Sequence, residues 1–253
     1  MPNLGPEPAP SRDVARRLLA IETADRFGSV AAAELAGVEC DGADSDGVDR
    51  ATVLRSVVLP RDRRSARTLA PALGEMLGVL GWAPATLTHV AVSTGPGSFT
   101  GLRIGVTTAK TLAYAVGAAV VPISTLSALA AAVDPAKHEG GRIIAVLDAY
   151  RSELFTGVFE GVITPAAETL RVRRSDLASF TRRGDLVVSP IADTLDAGEA
   201  TVRVAEPSAE AVARLAANVL AGGAGGGSPF TLSIDYGRPS AAEEKLESGK
   251  ATS

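Results

Sequence analysis

The chain is 253 residues long, enough for one large core or two smaller ones. Hydrophobic residues make up 46% of it but aromatics only 4%, so its packing depends on small aliphatic side chains. A formal net charge of −4 excludes a global positive field that would draw the chain onto phosphate backbones unaided, and a single cysteine, Cys40, excludes an internal disulfide. Pro at 2, 6, 8 and 10 with no apolar h-region, and no apolar run long enough for a bilayer, set the expectation of a soluble protein of the reducing cytoplasm.

In chain order, Leu18-Leu19-Ala20-Ile21 and Ser29-Val30-Ala31-Ala32-Ala33 flank a turn-forming stretch and predict a hairpin. An Asp- and Gly-rich loop over 37–50 follows, and Thr52 to Leu59 reads as a third strand. Leu69, Leu73, Met76, Leu77 and Leu80 recur at helical spacing within a helix predicted from Ser65 to Leu80, with Pro71 tolerated in its first turns. A short strand, His89 to Ser93, runs into Gly95-Pro96-Gly97-Ser98-Phe99-Thr100-Gly101. A helix from about Leu102 to Val116, a strand at 118–122 and a small helix from Ser124 come next.

A second apolar strand, Arg142 to Asp148, pairs with Leu154 to Phe159 and repeats the opening pattern. In both halves a leading strand ends in an acidic residue, Glu22 or Asp148, which suggests an internal duplication. Strands near 186–189 and 201–205, and a helix from Ala209 to Leu220 capped by Ser208, complete the reading before the glycines of 222–227.

Gly95, Gly97 and Gly101 lie between strand and helix, where glycine permits positive φ and close backbone approach. The helix start can hold an anion, with Ser98, Thr100 and Arg103 as donors; the alternative is a tight turn in which Ser98 or Thr100 only caps. Leu102 stands where a P-loop needs Lys, and the glycine spacing does not fit a dinucleotide fingerprint. The two histidines, His89 and His138, are far apart, and Cys40 has no neighbouring base. No catalytic group and no metal site is therefore expected.

The segment Ser93 to Gly105, with Lys110 to Leu112 behind it, resembles the signature of the TsaB (YeaZ) family. Leu19-Ala20-Ile21-Glu22-Thr23 is similar to that family's opening strand, Leu147-Asp148-Ala149 to its second-domain strand, and Tyr236, Arg238, Pro239, Ser240, Ala242 and Glu243 to its C-terminal signature. Family members usually carry Asp where Glu22 stands. The resemblance implies an α/β actin-like (ASKHA, ribonuclease-H-like) two-lobed fold with duplicated mixed sheets flanked by helices. The expected division is a first lobe over 17–123, a second, degenerate lobe over 124–235 and tails at 1–16 and 236–253, with the 208–221 helix packing back on the first lobe.

The resemblance further implies a non-catalytic dimerisation and activator subunit of the complex that transfers threonylcarbamoyl to adenosine in tRNA. Its partners would be a TsaD-like catalytic subunit and a TsaE-like ATPase, with a homodimer when alone, tRNA met only indirectly and no membrane. A small-molecule kinase or ATPase of the same fold is the alternative. Glu22, Gly95, Gly97, Ser98, Thr100, Gly101 and Asp148 stand as a remnant nucleotide site, with ATP or ADP and magnesium at the complex interface as the cofactor expectation. Combining the family's habit of pairing with helix periodicity, the apolar band Leu69, Leu73, Met76, Leu77 and Leu80, and the ridge Gly105, Ala109 and Ala113 with Leu102, Val106 and Leu112, are expected to form the partner interface.

Overall fold

The computed structural model describes residues 16–35, 51–60, 65–133 and 141–237. Two five-stranded mixed sheets form its framework. The first contains β1 (Arg16–Glu22), β2 (Ser29–Leu35), β3 (Ala51–Val58), β4 (His89–Gly95) and β5 (Ala119–Ser124), in the order β3-β2-β1-β4-β5. The second contains β6 (Arg142–Asp148), β7 (Glu153–Glu160), β8 (Leu170–Arg173), β9 (Leu186–Ser189) and β10 (Thr201–Val204), in the order β10-β9-β6-β7-β8. Read from its own leading strand, each sheet has the same plan. Strand one pairs antiparallel with strand two and parallel with strand four, strand two pairs antiparallel with three, and four pairs parallel with five. The duplication suggested by the two hairpins extends to all ten strands.

Among the described residues five α-helices accompany them: α1 (Ser65–Leu80), α2 (Phe99–Val116), α3 (Thr125–Ala130), α4 (Leu177–Phe180) and α5 (Ala209–Ala221). Helices α1 and α2 cover one face of the first sheet, with Leu69, Met76, Val106, Ala109 and Ala113 packed on Leu19, Ile21, Val90 and Val92. The other face, Leu18, Ala20, Ala31 and Ala33, is covered by α5 through Ala209, Val212, Ala213 and Ala216. Ala-rich faces on both sides let this helix sit close to the pleat. Its start is fixed across 180 residues, where the Ala209 N–H donates to Ser29 Oγ at 2.8 Å, while Ser208 Oγ accepts from Ala211 N–H at 3.2 Å.

Helix α3 makes the opposite crossing. It follows β5 of the first sheet, yet Leu126, Leu129 and Ala130 pack on Ile143, Ala145, Phe155 and Val188 of the second. Each half thus supplies a helix to the other half's sheet, and the two helices touch.

The second sheet is anchored at its base by Asp185, whose side chain is 1% exposed. Its carboxylate accepts from Arg142 Nη2 at 2.6 Å and Nε at 3.1 Å, and from the Arg182 N–H at 2.9 Å. Burial pushes this carboxyl up, but the Arg142 hydrogen bonds and the Arg182 N–H outweigh it and hold it below the usual carboxylate range.

Several elements differ from the sequence reading. The helix after the glycine segment starts at Phe99, three residues early, because Ser98 caps it. Strand β8 and the short helical turns over 174–180 carry mixed polarity and give no periodic signal. Cys40, His138, the acidic loop over 37–50 and the signature residues Arg238 to Glu243 lie outside the described residues.

Candidate functional site

The glycine segment lies at the C-terminal end of β4, beside the turn that follows β1. Ser98 N–H donates to the Ala24 carbonyl at 2.6 Å, and Thr23 Oγ1 donates to the Gly101 carbonyl at 2.8 Å, which stitches the β1 turn to the first turn of α2. A Cβ at Gly97 would overlap the Ala24 carbonyl oxygen, one at Gly101 the Thr23 carbonyl oxygen, and one at Gly105 the Thr23 Oγ1. At Gly95, with φ +119, a Cβ would overlap the Asp235 carbonyl oxygen, and the Asp235 N–H donates to the Thr94 carbonyl at 2.8 Å. Gly95, Gly97 and Gly101 therefore admit the chain's own backbone, and Gly105 admits the Thr23 side chain. They do not form an open cradle for phosphate.

The cap is likewise internal: Ser98 Oγ accepts from the Gly101 N–H at 3.2 Å. Thr100 is exposed on the first turn. Arg103 is engaged by rings, its guanidinium 3.9 Å from the Phe99 centroid and its Nε donating to the Tyr236 hydroxyl at 3.1 Å, with the Phe99 and Tyr236 rings tilted against each other, centroids 5.0 Å apart. Tyr236 thus docks the C-terminal segment onto α2.

The two strand-end carboxylates hold their own turns in the same way. Glu22 Oε1 accepts from the Ala24 N–H at 2.6 Å and Asp148 Oδ1 from the Tyr150 N–H at 2.9 Å, each two residues on. Their surroundings differ. Asp148 is exposed, above a turn in which Tyr150, Arg151 and Ser152 all have positive φ, of 59°, 53° and 63°. Glu22 is 0% exposed and its Oε2 has no hydrogen-bond partner among the described residues. Burial, with Asp25 and Glu206 nearby, pushes its carboxyl up to about 8, although the Ala24 and Asp25 N–H groups oppose this. A carboxyl sealed from solvent, with one oxygen committed to its own turn, does not fit a magnesium ligand. No group of three His, Cys, Asp or Glu among the described residues is placed to hold a metal ion.

The expected interface residues are core residues. Leu69, Leu73, Met76 and Leu77 lie buried under α1, and Leu102, Gly105, Val106, Ala109 and Ala113 under α2, all within this chain; Leu80 and Leu112 are half-buried at the margin. A small-residue ridge invites close approach whatever packs against it, and here the approaching surface is the chain's own β1 and β4. The surface of α1 carries another such row that the sequence reading passed over: Ala70, Gly74 and Gly78 are exposed at four-residue steps, and the Cβ positions of Gly74 and Gly78 are open. The exposed positions of neighbouring α2 include Thr107, Thr111 and Tyr114, the last in edge contact with Phe230 at 5.5 Å.

The sequence model of the family described as TsaD, tRNA N6-adenosine threonylcarbamoyltransferase, matches residues 52–207, more than half of the chain. Over 100 residues the chain is 38% identical to the tRNA threonylcarbamoyladenosine biosynthesis protein TsaB of Bacillus subtilis (strain 168), and over 94 residues it is 33% identical to that of Haemophilus influenzae. The chain belongs to the TsaB (YeaZ) group of the TsaD family.

These alignments take in 40% and 37% of this chain but only 42% and 39% of the two relatives' lengths. A Pseudomonas aeruginosa protein described as similar to peptidase YEAZ superposes with a TM-score of 0.68 at 22% identity, over 88% of this chain and all of that one. A second structure, YeaZ from the same organism, gives the same score over 87% and 99%. This likeness extends the family's actin-like fold over nearly the whole described chain. Among the described residues no helix is long and apolar enough to cross a membrane.

Proposed function

We propose that this chain is a non-catalytic subunit of the cytoplasmic machinery that makes threonylcarbamoyladenosine in tRNA, acting as activator and dimerisation partner of a TsaD-like transferase. The observation that carries this reading is the closed glycine segment. The strand-to-helix turn that could offer phosphate a cradle is filled by the Thr23, Ala24 and Asp235 carbonyls, and the carboxyl beside it is fully buried. Such a turn stiffens the base of α2 and suits a scaffold better than a phosphoryl-transfer centre. A TsaE-like ATPase completes the proposed assembly, with any ATP or ADP and magnesium held at the complex interface. Transfer RNA is gripped chiefly by the partner, in keeping with the chain's net charge of −4.

The partner surface is the outward side of α1 and α2. Ala70, Gly74 and Gly78 form an exposed row of small residues that admits a facing helix closely, and Tyr114 on α2 supplies an exposed aromatic anchor. The same surface serves a homodimer when the partner is absent. Reconstitution tests the reading: the purified chain supplied with threonylcarbamoyl-adenylate and tRNA forms no product, and adding it to a TsaD-like partner raises that partner's turnover. Product from the chain alone, or no effect on the partner, would count against it.

A further inference from the structure

Beyond β5 the first sheet has a free edge, and the segment 227–235 straps across it. The strap is tied at one end by the Val120 N–H donating to the Gly227 carbonyl at 2.9 Å and the Gly227 N–H donating to the Val120 carbonyl at 2.7 Å. At the other it is tied by the Asp235 N–H on Thr94. Between the ties it bows away from the strand and leaves a cavity of about 270 Å³. We propose that this cavity is a binding site for an alkylammonium group, either a small free amine or a lysine side chain.

The hydrogen-bonding character of the walls selects the ligand. Along a parallel strand the N–H and C=O of alternate residues point to the same edge. Val120 points outward to Gly227, and Ser124 N–H points outward to the Pro165 carbonyl at 2.9 Å. Pro122 lies between them, so its carbonyl is aimed at the free edge where the cavity opens, and it has no N–H to offer.

Both threonine hydroxyls of the lining donate their protons elsewhere, Thr94 to the Ile123 carbonyl at 3.3 Å and Thr231 to the Ser228 carbonyl at 3.0 Å, while Ser228 Oγ accepts from the Phe230 N–H at 3.3 Å. Each leaves lone pairs. The charged group in the lining is the Asp235 carboxylate, whose two oxygens accept from the Gly237 N–H at 2.7 Å and Thr169 Oγ1 at 3.3 Å and keep capacity for further donors. Among the described residues no Lys, Arg or His lines the cavity. A lining with one negative charge and several acceptor oxygens suits a ligand that brings several N–H donors and a positive charge, as an ammonium does.

Leu232 and Ile234 supply apolar surface for the carbon stem. The volume is below the roughly 300 Å³ at which drug-sized pockets begin, so the stem is short.

The test titrates the full chain with n-butylammonium at constant ionic strength, read by chemical-shift perturbation, with n-butanol as the uncharged control. Saturable binding of the amine and none of the alcohol is expected, and Asp235→Asn weakens the amine by about tenfold. Because Asp235 also holds the Gly237 turn, Thr94→Val, which keeps the shape and removes an acceptor, provides a second variant with about threefold loss. Equal binding of alcohol and amine, or unchanged affinity in whichever of the two variants folds by circular dichroism, overturns the proposal. N-acetyl-lysine methylamide separates the sources: if it binds, a protein lysine fits; if only the free amine binds, the site takes small amines. The measurement needs neither tRNA nor a partner, so its outcome is independent of the proposed function.

Discussion

Glu22 and Asp185 are both buried carboxyls shifted in opposite directions: burial raises Glu22, whereas the Arg142 hydrogen bonds hold Asp185 low. Glu22 keeps its proton up to about pH 8 when folded, whereas in the unfolded chain it ionises near 4.5. Between those values the folded state binds the extra proton, so stability contributed by this group falls as pH rises and levels off above about 8. Glu22→Gln fills the same space without a titrating group. Its stability relative to wild type should rise between pH 5 and pH 8, which urea unfolding at several pH values would read; a difference independent of pH would refute the neutral carboxyl. Asp185 has the reverse sign. Its depressed value gives stability that is present above the unfolded value near 3.8 and lost as pH falls through the lower folded one. Asp185→Asn leaves the Arg142 guanidinium without its counter-charge, and a loss of about 3 kcal/mol at pH 7 is expected in the same assay.

At the scale of the helices, the contrast between buried and exposed small residues makes a paired prediction. Ala109→Arg drives a charge into a position that is 0% exposed, and a loss above about 4 kcal/mol is expected, seen as unfolding. Gly74→Arg and Gly78→Arg change open positions on α1. Replacing exposed helical glycine gains about 0.5–1 kcal/mol of helix propensity, so these variants fold at least as well as wild type while losing affinity for the TsaD-like partner in calorimetry. Undiminished binding by both would place the interface elsewhere.

The same helices show what a sequence can and cannot carry. Periodicity located α1, α2 and α5 and both leading hairpins, because a helix or strand with a buried face repeats its apolar residues at a fixed step. It could not say what the Gly105, Ala109 and Ala113 ridge faces, since close approach by a sheet and by a partner helix demand the same small side chains. The resemblance singled out the glycine segment, but its filling by Thr23, Ala24 and Asp235 depends on backbone atoms brought from up to about 140 residues away, which no local pattern encodes. Strand β8 was missed because it is a short edge strand whose exposed residues are arginines.

For the molecule as a whole, the dominant fact is the exchange of α3 and α5 between the two sheets. Removing everything after residue 205 deletes the helix that covers Leu18, Ala20, Ala31 and Ala33, and with it the Ala209 partner of Ser29. Such a truncated chain is expected to expose its first sheet and to lack a cooperative thermal transition. A sharp transition near that of the intact protein would contradict the need for α5. The exchange also bears on biosynthesis. A ribosome delivers β1 to β5 long before α5 emerges, so the apolar underside of the first sheet has no native cover until α5 leaves the exit tunnel. The apolar underside of the first sheet therefore stays open to other partners through the synthesis of the whole second sheet, and its core closes only when α5 arrives.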